Sequence, residues 1–218
     1  MATEDELTEI ACIVDRSGSM YELKDDAIGG FNQFVEEQLE LEGGAHITLT
    51  LFNHETDIVY TSKPVDQVDP LDEDAYQPGG MTALMDAVGQ TIERLEDGFE
   101  ERDGVDPDHV IVLILTDGKE NSSRDFDRRD IAEMIGERDE REGWEFVFWG
   151  ANINAPRVAE RLNIKPGNVS QFEATGEGLE EAFGEMSMLT ESFRESGILD
   201  EELKKLAEDE DGDDSNPE

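Results

Sequence analysis

Residues 10–20 read Ile-Ala-Cys-Ile-Val-Asp-Arg-Ser-Gly-Ser-Met. The apolar run ends in Asp15-Arg16-Ser17-Gly18-Ser19, which puts one carboxylate and two hydroxyls on a tight loop. These are hard oxygen donors, of the kind that hold Mg²⁺, Mn²⁺ or Ca²⁺ and not a soft metal. A second apolar run, Val110 to Leu115, ends in Thr116-Asp117-Gly118. Both runs are short, continuous and bounded by turn residues, the pattern of a strand buried on both faces. Taken singly, the same residues have plain structural readings. Ser17 and Ser19 suit the cap of a following helix, and Asp117 before Gly118 suits a turn.

The elements between these runs decide whether the two acids can meet. Ile28, Phe31, Phe34-Val35 and Leu39 recur at helical spacing, which predicts a helix over roughly residues 22–41, closed by Gly43-Gly44. Ile47–Phe52 and Asp57–Tyr60 flank a short polar turn and predict an antiparallel hairpin, with His54 a solvent-facing turn residue. Residues 63–80, with Pro64, Pro70, Pro78, Gly79 and Gly80, read as an extended loop. A second helix opens at Met81–Leu84 with Val88, Ile92 and Leu95 on its apolar face, and Glu96 to Asp108 reads as an acidic connection. A helix around Ile131–Arg138, a strand at Glu145–Trp149, a short helix near Ala155–Arg161, a brief strand near Val169–Phe172 and a long helix through Leu179–Phe193 follow. Strands alternating with helices predict an α/β fold. The expected sheet is doubly wound, Rossmann-like and mostly parallel, with one antiparallel edge strand and helices on both faces. In such sheets ligands bind beyond the carboxyl ends of the strands, where strand order reverses. That rule sets Asp15 and Asp117 on one edge. Residues 1–197 form the expected domain. Residues 198–218 read as an acidic, disordered tail whose spacing does not fit an EF-hand loop.

Composition narrows the function classes. The chain carries 57 acids against 17 bases, a formal net charge of −40. Residues 1–199 alone hold 47 acids and 15 bases, so the excess is not confined to the tail. Self-repulsion at this charge strains a compact state in dilute buffer, whereas at ~1 M salt the screening length falls to ~3 Å. A folded protein with an acidic solvent face, adapted to a salt-rich cytoplasm, is the expected reading. No Lys/Arg cluster is apparent to displace phosphate counterions, so nucleic-acid binding is not expected. No segment approaches the ~20 apolar residues of a membrane span. Cys12, the only cysteine, lies within an apolar run and reads as a small buried hydrophobe.

Three separated pieces, Asp15-x-Ser17-x-Ser19, Gly79-Gly80-Met81-Thr82 and Thr116-Asp117-Gly118, together resemble the metal-ion-dependent adhesion site of von Willebrand factor type A domains. The resemblance covers roughly residues 5–195 and departs from the pattern at none of the five positions. It implies that Ser17 and Ser19 bind a metal through their hydroxyls, that Thr82 binds directly or through water, and that Asp15 and Asp117 lie close, often acting through water. It further implies Mg²⁺ as the ion, with Mn²⁺ or Ca²⁺ as substitutes, and a protein partner whose Asp or Glu completes the shell. Arg16, Met20 and Tyr21 flank the motif, either as partner contacts or as plain surface. Asn121 reads as a support for the site, Asn152 as part of its rim and Trp149 as core. Enzyme signatures are weaker. A nucleophile elbow would need Gly-x-Ser-x-Gly, but positions 15 and 19 are Asp and Ser. No P-loop, dinucleotide fingerprint or His/Cys zinc cluster appears. A phosphatase using Asp15 would have only Lys119 and Arg124 to cradle phosphate. The expected function is therefore a metal-dependent protein-binding module and not an enzyme. The alternatives are a regulatory subunit of a chelatase-type ATPase assembly or a metal-dependent hydrolase.

The charge reading makes a direct prediction. Circular dichroism should show loss of helix and sheet signal when the protein is dialysed from molar KCl to low ionic strength. An unchanged spectrum would remove the salt-adaptation argument.

Overall fold

The computed structural model describes residues 6–101, 107–140 and 143–199. The acidic tail expected over residues 198–218 lies, from residue 200 onward, outside the described residues.

Strand β1 (Leu7–Asp15) lies in the middle of a six-stranded sheet. Its side chains alternate between two cores, with Ile10, Cys12 and Val14 on one face and Ala11 and Ile13 on the other. A strand covered on both faces must be apolar throughout, which is why residues 10–14 show no polar alternation. β1 pairs in parallel with β2 (Gly44–Phe52) on one side and β4 (His109–Thr116) on the other. The full order is β3-β2-β1-β4-β5-β6. β3 (Thr56–Pro64) runs antiparallel to β2 at one edge, while β5 (Trp144–Gly150) and β6 (Val169–Gln171) continue the parallel ladder to the other. This is the sheet that the alternation of elements predicts. From β1 the chain passes outward to β2 and β3, then returns to β4 on the opposite flank. Strand order therefore reverses between β1 and β4, whose carboxyl ends meet at one edge.

Helices α1 (Lys24–Glu40) and α5 (Gly176–Ser196) cover the face bearing Ile10, while α2 (Leu84–Glu100), α3 (Arg128–Asp139) and α4 (Ala155–Arg161) cover the other. α1 buries Ala27, Phe31, Phe34 and Gln38, a stripe at helical spacing. Its last carbonyls have no basic residue of their own helix nearby. Arg194 of α5 serves them instead, donating to the carbonyl oxygens of Gln38 at 2.6 Å and Gly43 at 3.0 Å.

Several boundaries differ from the sequence expectation. A six-residue 3₁₀ turn, Gly18–Leu23, precedes α1 and buries Met20 completely, so Met20 is core and neither a partner contact nor surface. α2 begins at Leu84, past Met81 and Thr82, and continues to Glu100 through part of the expected acidic connection. The extra turn is held by neighbours on other elements. Glu96 forms an ion pair with Arg138, and Phe99 sits edge-on to Trp144 with ring centroids 6.3 Å apart. β3 runs four residues beyond Tyr60, into the stretch expected to be loop. Trp149 is wholly buried, its indole N–H donating to Glu185 at 2.8 Å.

Two adjacent glycines of α1 give a test of this packing. A Cβ on Gly29 would meet nothing within 4 Å, whereas one on Gly30 would strike the buried ring of Phe183. Gly29→Ala should therefore stabilise the fold by about 0.5–1 kcal/mol through helix propensity. Gly30→Ala should destabilise it by about 1–3 kcal/mol through overpacking. Chemical denaturation in saturating salt reads both, and equal shifts of the same sign would contradict the α1–α5 packing.

Candidate metal centre

β1 ends at Asp15 and β4 at Thr116, one residue before Asp117, so the switch point of the sheet brings the two acids together. Asp15 is wholly buried. One carboxylate oxygen accepts the Ser17 backbone N–H at 2.6 Å, and the other accepts the Thr116 hydroxyl at 2.5 Å. The Ser19 hydroxyl donates to Asp117 at 2.5 Å and lies 3.1 Å from that of Ser17. Thr82 joins from the loop before α2. A Cβ placed on Gly118 would stand 2.6 Å from the Thr82 hydroxyl and 3.2 Å from an Asp15 oxygen. Those two oxygens thus face the same small space, which only a glycine at 118 leaves open. All five residues expected at the site are brought together, from three loops.

The cap reading of the hydroxyls does not survive. Ser17 occupies the N-cap position of the 3₁₀ turn yet makes no side-chain capping hydrogen bond, and the N-cap position of α2 falls on Ala83, past Thr82. The hydroxyls of Ser17 and Ser19 turn toward each other and toward Asp117 instead, and that of Thr82 faces Asp15 across Gly118.

The loops are fastened to one another by their backbones. Gly79 N–H donates to the Arg16 carbonyl at 2.9 Å, and Gly18 N–H to that of Gly80 at 3.2 Å. Asn121 does support the site: its side chain accepts the Thr82 N–H at 3.0 Å and its own N–H donates to the Thr82 carbonyl at 3.0 Å. Tyr76, fully buried, donates from its hydroxyl to the Asp15 carbonyl at 2.5 Å. Two more acids brace the loop after β4. Asp86 accepts the N–H groups of Arg124, Asp125 and Phe126, and Glu120 accepts those of Met85, Ser122 and Ser123. Sequence reasoning missed Tyr76, Asp86 and Glu120 as parts of the site, and read Thr116 within the motif without its hydrogen bond to Asp15. The one signal available for Tyr76 was its being the single aromatic of the 63–80 loop. Of the flanking residues, Arg16 turns away to the Ala75 carbonyl and Asp57, Tyr21 stands exposed, and Asn152 is exposed with a positive φ of 54°. His54 is exposed as expected, with its ring set against Gly80.

Burial, reinforced by the neighbouring charge of Asp117, pushes the Asp15 carboxyl up from 3.8 to about 6, although its hydrogen bonds pull the other way. Burial likewise raises Asp117. Among the described residues neither acid has an ion-pair partner, and no group of three or more His, Cys, Asp or Glu side chains is placed to hold a metal ion. The donor set is two carboxylates and three hydroxyls, all oxygen, at a place where negative charge lacks an internal counterion. That set fits a hard divalent cation.

The sequence matches no protein-family model and no curated protein sequence. Solved structures do resemble the fold. A von Willebrand factor type A protein from Catenulispora acidiphila superposes with a TM-score of 0.56 at 19% identity, over 86% of this chain and 43% of that one. Proximal thread matrix protein 1 of the mussel byssus, described with a zinc-occupied MIDAS motif, gives 0.59 at 16% identity, over 83% and 47%. VWA2 of Sulfolobus acidocaldarius, an ArnB paralog, gives 0.56 at 15% identity, over 85% and 46%. The chain spans less than half the length of each of these three. It has the von Willebrand factor type A fold.

The raised Asp15 carboxyl has a measurable consequence. Its folded-state pKa lies above its unfolded value, so the folded protein binds the proton more tightly, and stability is lost as pH rises from about 4 through about 6. In chelator, Asp15→Asn should remove this loss and be more stable than the parent at neutral pH by ~1–3 kcal/mol, with the gap closing below the unfolded pKa. Thr116 can turn its hydroxyl to the Gly118 carbonyl, 3.3 Å away, and accept from the new amide. Melting curves of both proteins across that pH range would test it; parallel curves would refute the charge argument.

Proposed function

We propose that this chain is a metal-dependent protein-binding module. Ser17, Ser19 and Thr82 supply hydroxyl ligands, Asp15 and Asp117 supply charge at or just outside the ligand shell, and Mg²⁺ is the ion. The observation that carries the reading is the convergence of two uncompensated buried acids and three uncapped hydroxyls at the switch point of the sheet. When bound, a divalent ion supplies Lewis acidity toward an incoming oxygen ligand. The two carboxylates leave a dication without excess negative charge, so a partner's Asp or Glu is a favourable further ligand. The mussel protein's zinc-occupied site supports a divalent metal here.

Binding without chemistry is the reading this arrangement favours. An aspartyl nucleophile needs a free, accessible oxygen, yet both oxygens of Asp15 are engaged by Ser17 and Thr116, and the side chain has no exposure. The acidic surface fits a cytoplasm rich in salt. Among the described residues no helix is long and apolar enough to cross a membrane.

Mg²⁺ at ~100-fold excess over its dissociation constant should stabilise the fold by about 2.7 kcal/mol, and chelator should reverse it. Ser17→Ala and Asp117→Ala should each lose this response while still folding. Thermal melts in KCl with and without Mg²⁺ provide the measurement. A melting point indifferent to Mg²⁺ in the parent, or an intact response in both variants, would defeat the proposal.

A further inference from the structure

We propose that the groove beside the oxygen cluster, between the start of α2 and α4, docks an acidic, extended segment of the partner protein. This rests on the metal-module reading and names the chemistry of the partner that site would take. Gly118 belongs to both places: it lines the groove, and a Cβ there would touch the Thr82 hydroxyl and Asp15. The groove and the cluster therefore adjoin at Gly118. Leu84, Met85, Ile153, Val158 and Leu162 make its floor apolar.

Its rim is basic. Lys119, Arg128, Arg157 and Arg161 line it, all four exposed, and none forms an ion pair or a side-chain hydrogen bond with another described residue. Of the other described bases, Arg16, Lys24, Lys63, Arg138 and Lys165 each sit against a carboxylate. Arg94 bonds to the Thr61 hydroxyl and Arg194 to carbonyls, and Arg124 and Arg129 alone are likewise without an ion pair or side-chain hydrogen bond. In a chain of net charge −40, four of the six described cations that lack an ion pair or side-chain hydrogen bond stand around this one groove. The only acid in the lining, Glu120, already has both oxygens taken up by Met85, Ser122 and Ser123. Local stability accounts for Arg161, a cation in the last turn of α4 where the helix dipole favours it, but not for the others. Arg157 and Arg161 stand four apart on α4, a like-charge spacing that disfavours the helix. Arg128 is the first residue of α3, where the helix dipole repels a cation.

A negatively charged ligand accounts for all four positions. An extended peptide presents side chains alternately to opposite sides, so apolar residues can meet the floor while acids face the rim. Its end can then deliver a carboxylate to the metal. Nucleic acid fits less well, because the lining has no aromatic side chain on which a base could stack.

The test is fluorescence anisotropy of a short labelled peptide of alternating Glu and Leu, titrated with the full chain. Mg²⁺ is present, and KCl is held at the lowest concentration that preserves the circular dichroism spectrum. Binding is expected, with Arg157→Glu/Arg161→Glu weakening it by about tenfold or more at unchanged melting temperature. Equal affinity for the double variant, no binding to the parent, tighter binding of a single-stranded oligonucleotide, or tighter binding of a peptide of residues 200–218 would overturn the proposal. The two readings separate cleanly. Binding lost with Ser17→Ala but retained by the double variant removes the groove and leaves the metal reading. Binding lost in the double variant but indifferent to Ser17→Ala and chelator removes the metal reading and leaves the groove.

Discussion

A carboxylate closed off from water at the end of a central strand is a standing electrostatic demand on everything around it. Asp15 has no exposure, a second acid nearby, and only neutral donors for company, namely the Ser17 N–H and the Thr116 hydroxyl. Neutral hydrogen bonds lessen the cost of burying a charge but do not cancel it. The sheet cannot relax the strain by moving Asp15 outward, because its strand is paired on both sides and packed on both faces. The demand is therefore passed to the loops, which gather hydroxyls around the acids and leave one small space open beside Gly118.

Those loops behave as one piece. Backbone hydrogen bonds join the loop after β1 to the glycine pair at 79–80, Asn121 joins the third loop to Thr82, and Tyr76 ties the long connection to the end of β1. Asp86 and Glu120 do the same for the segment leading to α3, each holding successive backbone N–H groups. Preorganisation of this kind holds the cluster's oxygens in place, which would lower the ordering cost of binding an ion there. The basic groove beginning at Gly118 shares the same supports, since Met85 and Glu120 line it as well.

Much of this arrangement was legible in the residues. Continuous apolar runs such as 110–115 identify buried parallel strands because a strand covered on both faces cannot afford alternation, and the hairpin at 53–56 follows from its polar turn. Asp15 and Asp117 could be placed on one edge from strand order alone. Met20 was misread because a 3₁₀ turn, not an exposed loop, follows Ser17. Tyr76 and Asp86 were hidden for a different reason. Their partners are backbone groups 61 residues away for Tyr76 and 38 to 40 away for Asp86, and no local periodicity reports such contacts. The clustering of Lys119, Arg128, Arg157 and Arg161 was missed likewise, since the four come from three different segments and form a patch only once the chain is folded.

The two rims of the sheet matter for a reason unrelated to ligands. Dissolved salt that screens an acidic surface also removes the repulsion that keeps identical molecules apart. Unpaired strand edges then become the points at which one copy could add to another. Both are blunted by shape. β6 is only three residues long, and β3 is broken by register shifts against β2, bears Ser62 at a φ of 47°, and ends at Pro64. Resistance to edge-to-edge polymerisation is thus written into backbone geometry, and it persists under conditions where charge can no longer provide it.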